Sequence, residues 1–333
     1  MKKAFIITVF RSIALLASLG VFLMPAQAQT GFVSGNFALE LDGNLAGWLY
    51  FVQTSNTSTQ SGATKLDQNF ITTGSAGSLK WQKVVFVCGL GMSKPFYDWI
   101  ADTAAGTVTK HKAAIVLTDG SGTPIQALNL TNVMLSEVQF PEVGVINPSD
   151  PVQRAALMTV TLSPQAGNVV SAQGQASPGH PTGNSRPITW HTAAFKFAVQ
   201  DCTGPTFTQM PSVALFGWVV DASSGNALAN PQVPTAKSPA SLAIGWHATV
   251  KYPDNGAFKN WFTTSKSATK SGALQFLNDQ GQALFTLTFP ALSIASYSET
   301  AVGLASAGQK AYTAGLSYTG QSFTYNQLLD CGG

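Results

Sequence analysis

Four histidines, His111, His180, His191 and His247, are the side chains of this 333-residue chain best suited to hold a metal or move a proton at neutral pH. None stands at metal-ligand spacing from another His, a Cys or a carboxylate. There is no G-x-S-x-G elbow and no phosphate loop. "CGLGM" (88–92) lacks the later glycine and the helix that a dinucleotide site needs. Asp42, Asp119, Glu137 and Glu142 stand in turn or strand-end settings, where turn and capping hydrogen bonds account for an acid. The expectation is a chain that is not an enzyme and has no catalytic, metal or cofactor residues. Covalent chemistry rests with Cys88, Cys202 and Cys331. Cys202 ("QDCTG") and Cys331 ("LLDCGG") bracket the second half and are expected to form a disulfide, two free thiols being the alternative. Closing so long a loop would contribute about 4–5 kcal/mol in the chain-entropy model. Cys88, in "VVFVCGL", reads as a buried strand residue.

Disulfides need an oxidising compartment, and the N-terminus supplies a route to one. Lys2, Lys3 and Arg11 precede the apolar run "SIALLASLGVFLM" (12–24), and Pro25-Ala26-Gln27-Ala28 gives a cleavage signal before Gln29. This is the layout of a secretory signal peptide over 1–28, cut between Ala28 and Gln29. No later segment is apolar enough to span a membrane. The expected location is the periplasm or the outside of a Gram-negative-type cell. The chain holds 18 Lys and Arg against 15 Asp and Glu, so loss of Lys2, Lys3 and Arg11 leaves the charges balanced. No basic stripe for nucleic acid remains. Charged residues make up 10% of the chain, against about 25% in ordinary domains. A surface so weakly charged is poorly protected against association, which favours covering by neighbouring subunits.

Most of the chain alternates apolar and polar residues: "FALEL" (37–41), "WLYFV" (48–52), "KVVFV" (83–87), "AAIVL" (113–117) and "ALMTVTL" (156–162). Gly, Asn, Asp and Pro punctuate these runs, as in a β-sandwich or barrel. "KPFYDWIADTAAG" (94–106) is the exception. Pro95 suits a first turn, Ser93 suits the cap and Gly106 the stop. Phe96, Tyr97, Trp99 and Ile100 form one apolar face, with Phe96 and Trp99 as anchors against a sheet. "GAFKNWFTTSKSATKSG" (256–272) offers Phe258 and Trp261 at the same spacing.

The second half repeats the order of the first. "AAFKFAVQ" (193–200) echoes "NFALELD", "VALFGWVV" (213–220) echoes "NLAGWLYFV", and "SLAIGWHATVKY" (241–252) echoes "SLKWQKVVFVCG". Asp119-Gly120-Ser121-Gly122 and Asn278-Asp279-Gln280-Gly281 are hairpin turns, with Asp119, Gly120, Gly122, Asn278, Asp279 and Gly281 as their working residues. The offset stays between about 158 and 162 through helix and hairpin, and only the second strand drifts further. This reads as one domain duplicated in tandem: a first domain at 29–165, a Gly/Pro/Ser-rich linker at 166–187, and a second domain at 188–333. Long polar insertions, 54–78 and 221–241, follow the second strand in each.

The succession "NFALELDGNLAGWLYFV", then "KVVFVCGLGMSKPFYDWIADTAAGTVTKHKAAIVLTDGSGTPIQALNLTNVMLSEVQFPEV", resembles the tail tube proteins of contractile-tailed phages, relatives of the type VI secretion tube protein. The resemblance covers about 36–163. The second half matches through Trp261, the 278–281 turn and "FTLTFPAL", while the Leu-Asp-Gly turn has become "VQDCTGP". The resemblance implies a small β-barrel or sandwich with one flanking helix, no cofactor and no catalytic residues. It also implies six-domain rings stacked into a tube, with the insertions reaching the next ring. Two domains per chain would give about three chains to a pseudo-sixfold ring. Export and duplication depart from that family, so the leading expectation is a homo-oligomeric tube or filament built outside the cytoplasm. The alternatives are a phage or prophage tail component, or a secreted adhesin or glycan-binding protein using Trp48, Trp81, Trp190, Trp218 and Trp246 as stacking faces.

Overall fold

Apolar residues at every second position bury one face of each strand, and in the first half that face bends inward to close a barrel. The structure, a computed structural model, describes residues 32–57, 80–144, 157–176, 194–202, 206–210, 212–220, 226–229, 243–251, 256–278, 280–301 and 310–326. The first half contributes β1 (Phe32–Leu41), β2 (Asn44–Thr57), β3 (Lys80–Cys88), helix α1 (Lys94–Ala104), β4 (His111–Thr118), β5 (Pro124–Gln139), β6 (Val143–Gly144), β7 (Met158–Ser163) and β8 (Ala166–Ser171). The second contributes β9 (Phe195–Val199), β10 (Thr206–Met210), β11 (Ala214–Phe216), β12 (Trp218–Val220), β13 (Ala227–Ala229), β14 (Ala243–Lys251), helix α2 (Gly256–Thr264), β15 (Lys270–Leu277), β16 (Ala283–Ala301), β17 (Lys310–Thr319) and β18 (Ser322–Tyr325).

The fold is mainly β, with a closed barrel of six antiparallel strands. Its order is β5-β4-β1-β2-β3-β7, and β7 pairs back onto β5. Leu39, Ile115 and Leu128 stand side by side across β1, β4 and β5 and are buried inside. Their neighbours Ala38, Val116 and Ala127 face the other way and are covered by Ala172, just past β8. Closure leaves no free edge in the ring itself, which removes the aggregation hazard of an open sheet.

The second sheet runs β6-β10-β14-β17-β16-β15-β9, with β18 beside β16. Several of its pairings match those of the barrel: β15 with β9 as β4 with β1, β16 with β17 as β5 with β7, and β16 with β18 as β5 with β8. Register matches too. Ile115 faces Leu128 as Leu274 faces Leu287, and a bulge at Leu135/Glu137 recurs at Ile294/Ser296. Among the described residues, no pairing of β9 with β10 joins the ends of this sheet.

Two segments differ from their sequence-level reading. Residues 166–171, within the stretch read as linker, form β8 on β5. The strand beside β14 is β10 at 206–210, not the 213–220 segment that echoes β2. Alternation tells a segment that it needs a sheet but not which sheet, and the drifting offset marked the place. From Phe32 on, the chain is one contact unit.

Candidate assembly interface

The helix of the first half carries the joint between the halves. Ser93 has extended backbone at the N-cap but makes no side-chain cap; its carbonyl accepts from Phe96 N (3.1 Å) and Tyr97 N (3.3 Å), and Pro95 fills the first turn. The last turn ends on Gly106 at φ 78°. Phe96 and Trp99 are fully buried against the sheet, as are Phe258 and Trp261 on α2.

Tyr97 looks toward the second half. Its ring stacks on Tyr325 (centroids 5.2 Å) and on Phe323 (6.3 Å) of β18. Phe140, at the end of β5, meets Phe323 (5.7 Å), Phe285 (5.5 Å) and Phe276 (6.1 Å). Phe276 and Phe285 stack at 4.1 Å across β15 and β16. An aromatic run therefore passes from one half into the other, each pair worth about 0.5–1.5 kcal/mol beyond area burial. The Tyr325 hydroxyl donates to Asp98 Oδ1 (2.7 Å), and Lys94 Nζ reaches Asp98 Oδ2 (2.6 Å). Slight burial raises the Asp98 carboxyl, but these two hydrogen bonds outweigh it and hold the group below the usual carboxylate range.

Backbone pairing reinforces the joint. β11 adds a strand to β5, Leu215 opposite Val138. Phe140 N donates to Val213 O (2.9 Å), Ser212 Oγ to Phe140 O (2.6 Å) and Gly217 N to Ser136 O (2.8 Å). In return β6 adds to β10, Gly144 opposite Gln209. Gly217 is required here: a Cβ would lie 2.0 Å from Leu135 O and 2.6 Å from Thr103 Cγ2. Each half thus adds a strand to a sheet of the other. Composition and spacing did not indicate this joint; the only sequence signal was the drift in offset at 213–220.

The residues singled out for chemistry scatter. His111 Nδ1 lies 2.6 Å from Asp42 Oδ2, while Glu137 Oε1 accepts from Gln139 Nε2 (3.1 Å) and Glu142 is exposed at a strand end. His180 and His191 lie outside the described residues, as does the His247 side chain. Among the described residues no group of three or more His, Cys, Asp or Glu is arranged to hold a metal. Cys88 and Cys202 are buried free thiols, and burial pushes the Cys88 pKa up. The disulfide expected between Cys202 and Cys331 is not seen, Cys202 being a free thiol, and Cys331 lies outside the described residues. So do Ala28 and Gln29, Asp279, Trp190, the Trp81 and Trp246 side chains, and most of both insertions. Asp119 Oδ1 accepts from Ser121 N (2.8 Å) and Thr123 N (2.9 Å); Asn278 Oδ1 accepts from Gln280 N (3.0 Å) and Gln282 N (2.8 Å). Gly122 (φ 85°) and Gly281 (φ 76°) close the two turns, and Gly120 has open space around it. Trp48 and Trp218 are half-buried. No described helix is long and apolar enough to cross a membrane.

No protein-family model matches the chain, and no curated protein does. Among solved structures it is similar to Hcp1 from Flavobacterium johnsoniae, at 9% identity over 40% of this chain and 94% of that one, with a TM-score of 0.26. It is similar to a chain of the anti-feeding prophage baseplate at 11% identity, over 42% and 95%, TM-score 0.27. It is similar to a chain of the PVC sheath-tube complex, an extracellular contractile injection system, at 18% identity, over 42% and 92%, TM-score 0.27. At such identities and scores the likeness carries no argument about function.

Proposed function

We propose that this chain is a non-enzymatic structural protein whose copies join head to tail into rings, stacked as a tube or filament in the periplasm or outside the cell. One observation carries the reading: the two halves join by adding strands to each other's sheets, β11 to β5 and β6 to β10. A joint between two like units that uses different surfaces on each is heterologous, and repeating it propagates into a ring or a filament. The matching pairings and registers of the two sheets support a tandem duplication. The low charge and the sequence resemblance to tail tube proteins point the same way. Three chains would then supply six domains to a ring.

The test is electron microscopy and sizing of the purified chain lacking residues 1–28. Rings or tubes are expected; a strict monomer at high concentration would overturn the reading. Sequencing the N-terminus of the natural product separates an exported protein from a phage tail component, which would keep residues 1–28.

A further inference from the structure

The joint inside the chain has a twin address on its outside. Leu128 pairs with Val169 of β8 as Leu287 pairs with Phe323 of β18. Val169 therefore stands where Phe323 stands, and Ser171 where Tyr325 stands. On the helices, Trp99 corresponds to Trp261, so Tyr97 corresponds to Lys259 and Asp98 to Asn260. Inside the chain Phe323 and Tyr325 cover Tyr97 and Asp98. Their counterparts Lys259, Asn260 and Ser171 are exposed, and Val169 is half-buried. The stretch of β5 that carries β11, Glu137–Gln139, corresponds to Ser296–Ser298 on β16, where Ser296 and Ser298 are also exposed. Phe262 of α2 packs on Tyr297 (6.3 Å), so helix and strand present one continuous face.

We infer that this face of the second half, α2 at Lys259 and Asn260, is the docking surface for β8 of a second copy of the chain. The inference rests on the proposed head-to-tail assembly and names its surfaces. The occupant follows from the joint itself: the equivalent face of the first half is covered by the strand equivalent to β8. The chemistry differs between the two settings. Inside the chain the contact is aromatic, with one hydrogen bond from Tyr325 to Asp98. Between chains it would set Lys259 and Asn260 against Val169 and Ser171, a more polar contact.

Cysteine pairing tests it on the full mature chain. Ser171→Cys and Asn260→Cys are made in separately tagged chains, co-produced and exposed to a mild oxidant. A mixed dimer of both tags is expected, with neither variant linking to itself above the wild-type background. The doubly substituted chain is expected to give a ladder of multimers. As a control, Asp98→Cys with Tyr325→Cys should close within one chain, without change of mass. Oligomers by sizing but no mixed dimer would overturn the surface and leave the assembly reading standing. A monomer at high concentration would remove both. Circular dichroism of each variant checks that folding is intact.

Discussion

Asp42 and Asp201 hold the same place in the two halves, with different partners. Asp42 (φ 51°) turns the chain from β1 to β2; its Oδ2 meets His111 Nδ1 at 2.6 Å and its Oδ1 accepts from Lys112 N at 2.9 Å. Asp201 (φ 56°) follows β9, and Lys270 Nζ lies 3.4 Å from its Oδ2. Both partners then meet the helix tryptophan: His111 edge-on to Trp99 at 4.8 Å, Lys270 over Trp261 at 5.8 Å. Asp42 and Asp201 are 159 positions apart, as are His111 and Lys270. Both halves share the left-handed backbone and an aspartate facing a basic side chain; the identity of that side chain differs. Aspartate tolerates that conformation, which explains the constant residue. An imidazole and an ammonium both satisfy a carboxylate and an aromatic ring, which explains the variable one. What separates the halves is their surroundings. The outward side of α1 is covered by β18, whereas Lys259 and Asn260 on α2 are exposed.

Removing the tryptophans gives the largest expected effect. Trp99→Ala and Trp261→Ala should each lower the free energy of unfolding by about 3–5 kcal/mol, the range for emptying a large aromatic site. The second should cost more, by about 1 kcal/mol. Trp261 Nε1 donates to Ala268 O (2.8 Å), while Trp99 Nε1 is buried without a hydrogen-bond partner among the described residues. Urea midpoints of the two variants decide it, and an equal or larger loss from Trp99 would break the comparison. Next comes the joint. Gly217→Ala places a methyl against the Leu135 carbonyl, and overpacking of this kind costs about 1–3 kcal/mol. Gly120→Ala, in open space, should stay within about 0.5 kcal/mol. Similar losses from the two would mean the halves do not meet as closely as Gly217 implies.

The β class and the helices were legible because each has a local period: two in "KVVFV" and "AAIVL", and an i, i+3 aromatic spacing around Trp99 and Trp261. The barrel's closure was not. It depends on β7 reaching both β3 and β5, and nothing local in "MTVTLS" names two partners. β8 was hidden by composition. "AGNVVS" reads as linker, yet six residues suffice for a strand when β5 supplies the backbone partners. The joint was the least legible feature. Ala214–Phe216 shares the alternation of a strand in its own half, and its attachment to β5 is set by Gly217 and Phe140, which no periodicity marks. The Asp42 and Asp201 clasps were readable only in part. The change from "LELDG" to "VQDCTG" looks like the loss of a turn, although the aspartate stays in register.

The smallest effect sharpens the clasp comparison through pH. Burial raises the Asp42 carboxyl slightly, while hydrogen bonds from His111 and Lys112 lower it further, so it sits below the usual range in the folded chain. A depressed carboxyl contributes stability that is complete above its unfolded value, near 3.9. That contribution is lost as pH falls below this value and through the folded one. Asp42 is exposed and His111 partly so, so the pair is worth about 0–1 kcal/mol. His111→Ala should therefore cost little at pH 7 and should reduce the loss of stability as pH falls below about 4. Lys270→Ala, acting on the other clasp, should leave the part of that slope due to Asp42 in place. Urea unfolding of the three proteins at a series of acid pH values measures this. An acid slope unchanged by His111→Ala would mean that the Lys112 amide alone holds the Asp42 carboxylate, and that the histidine serves only to pack against Trp99.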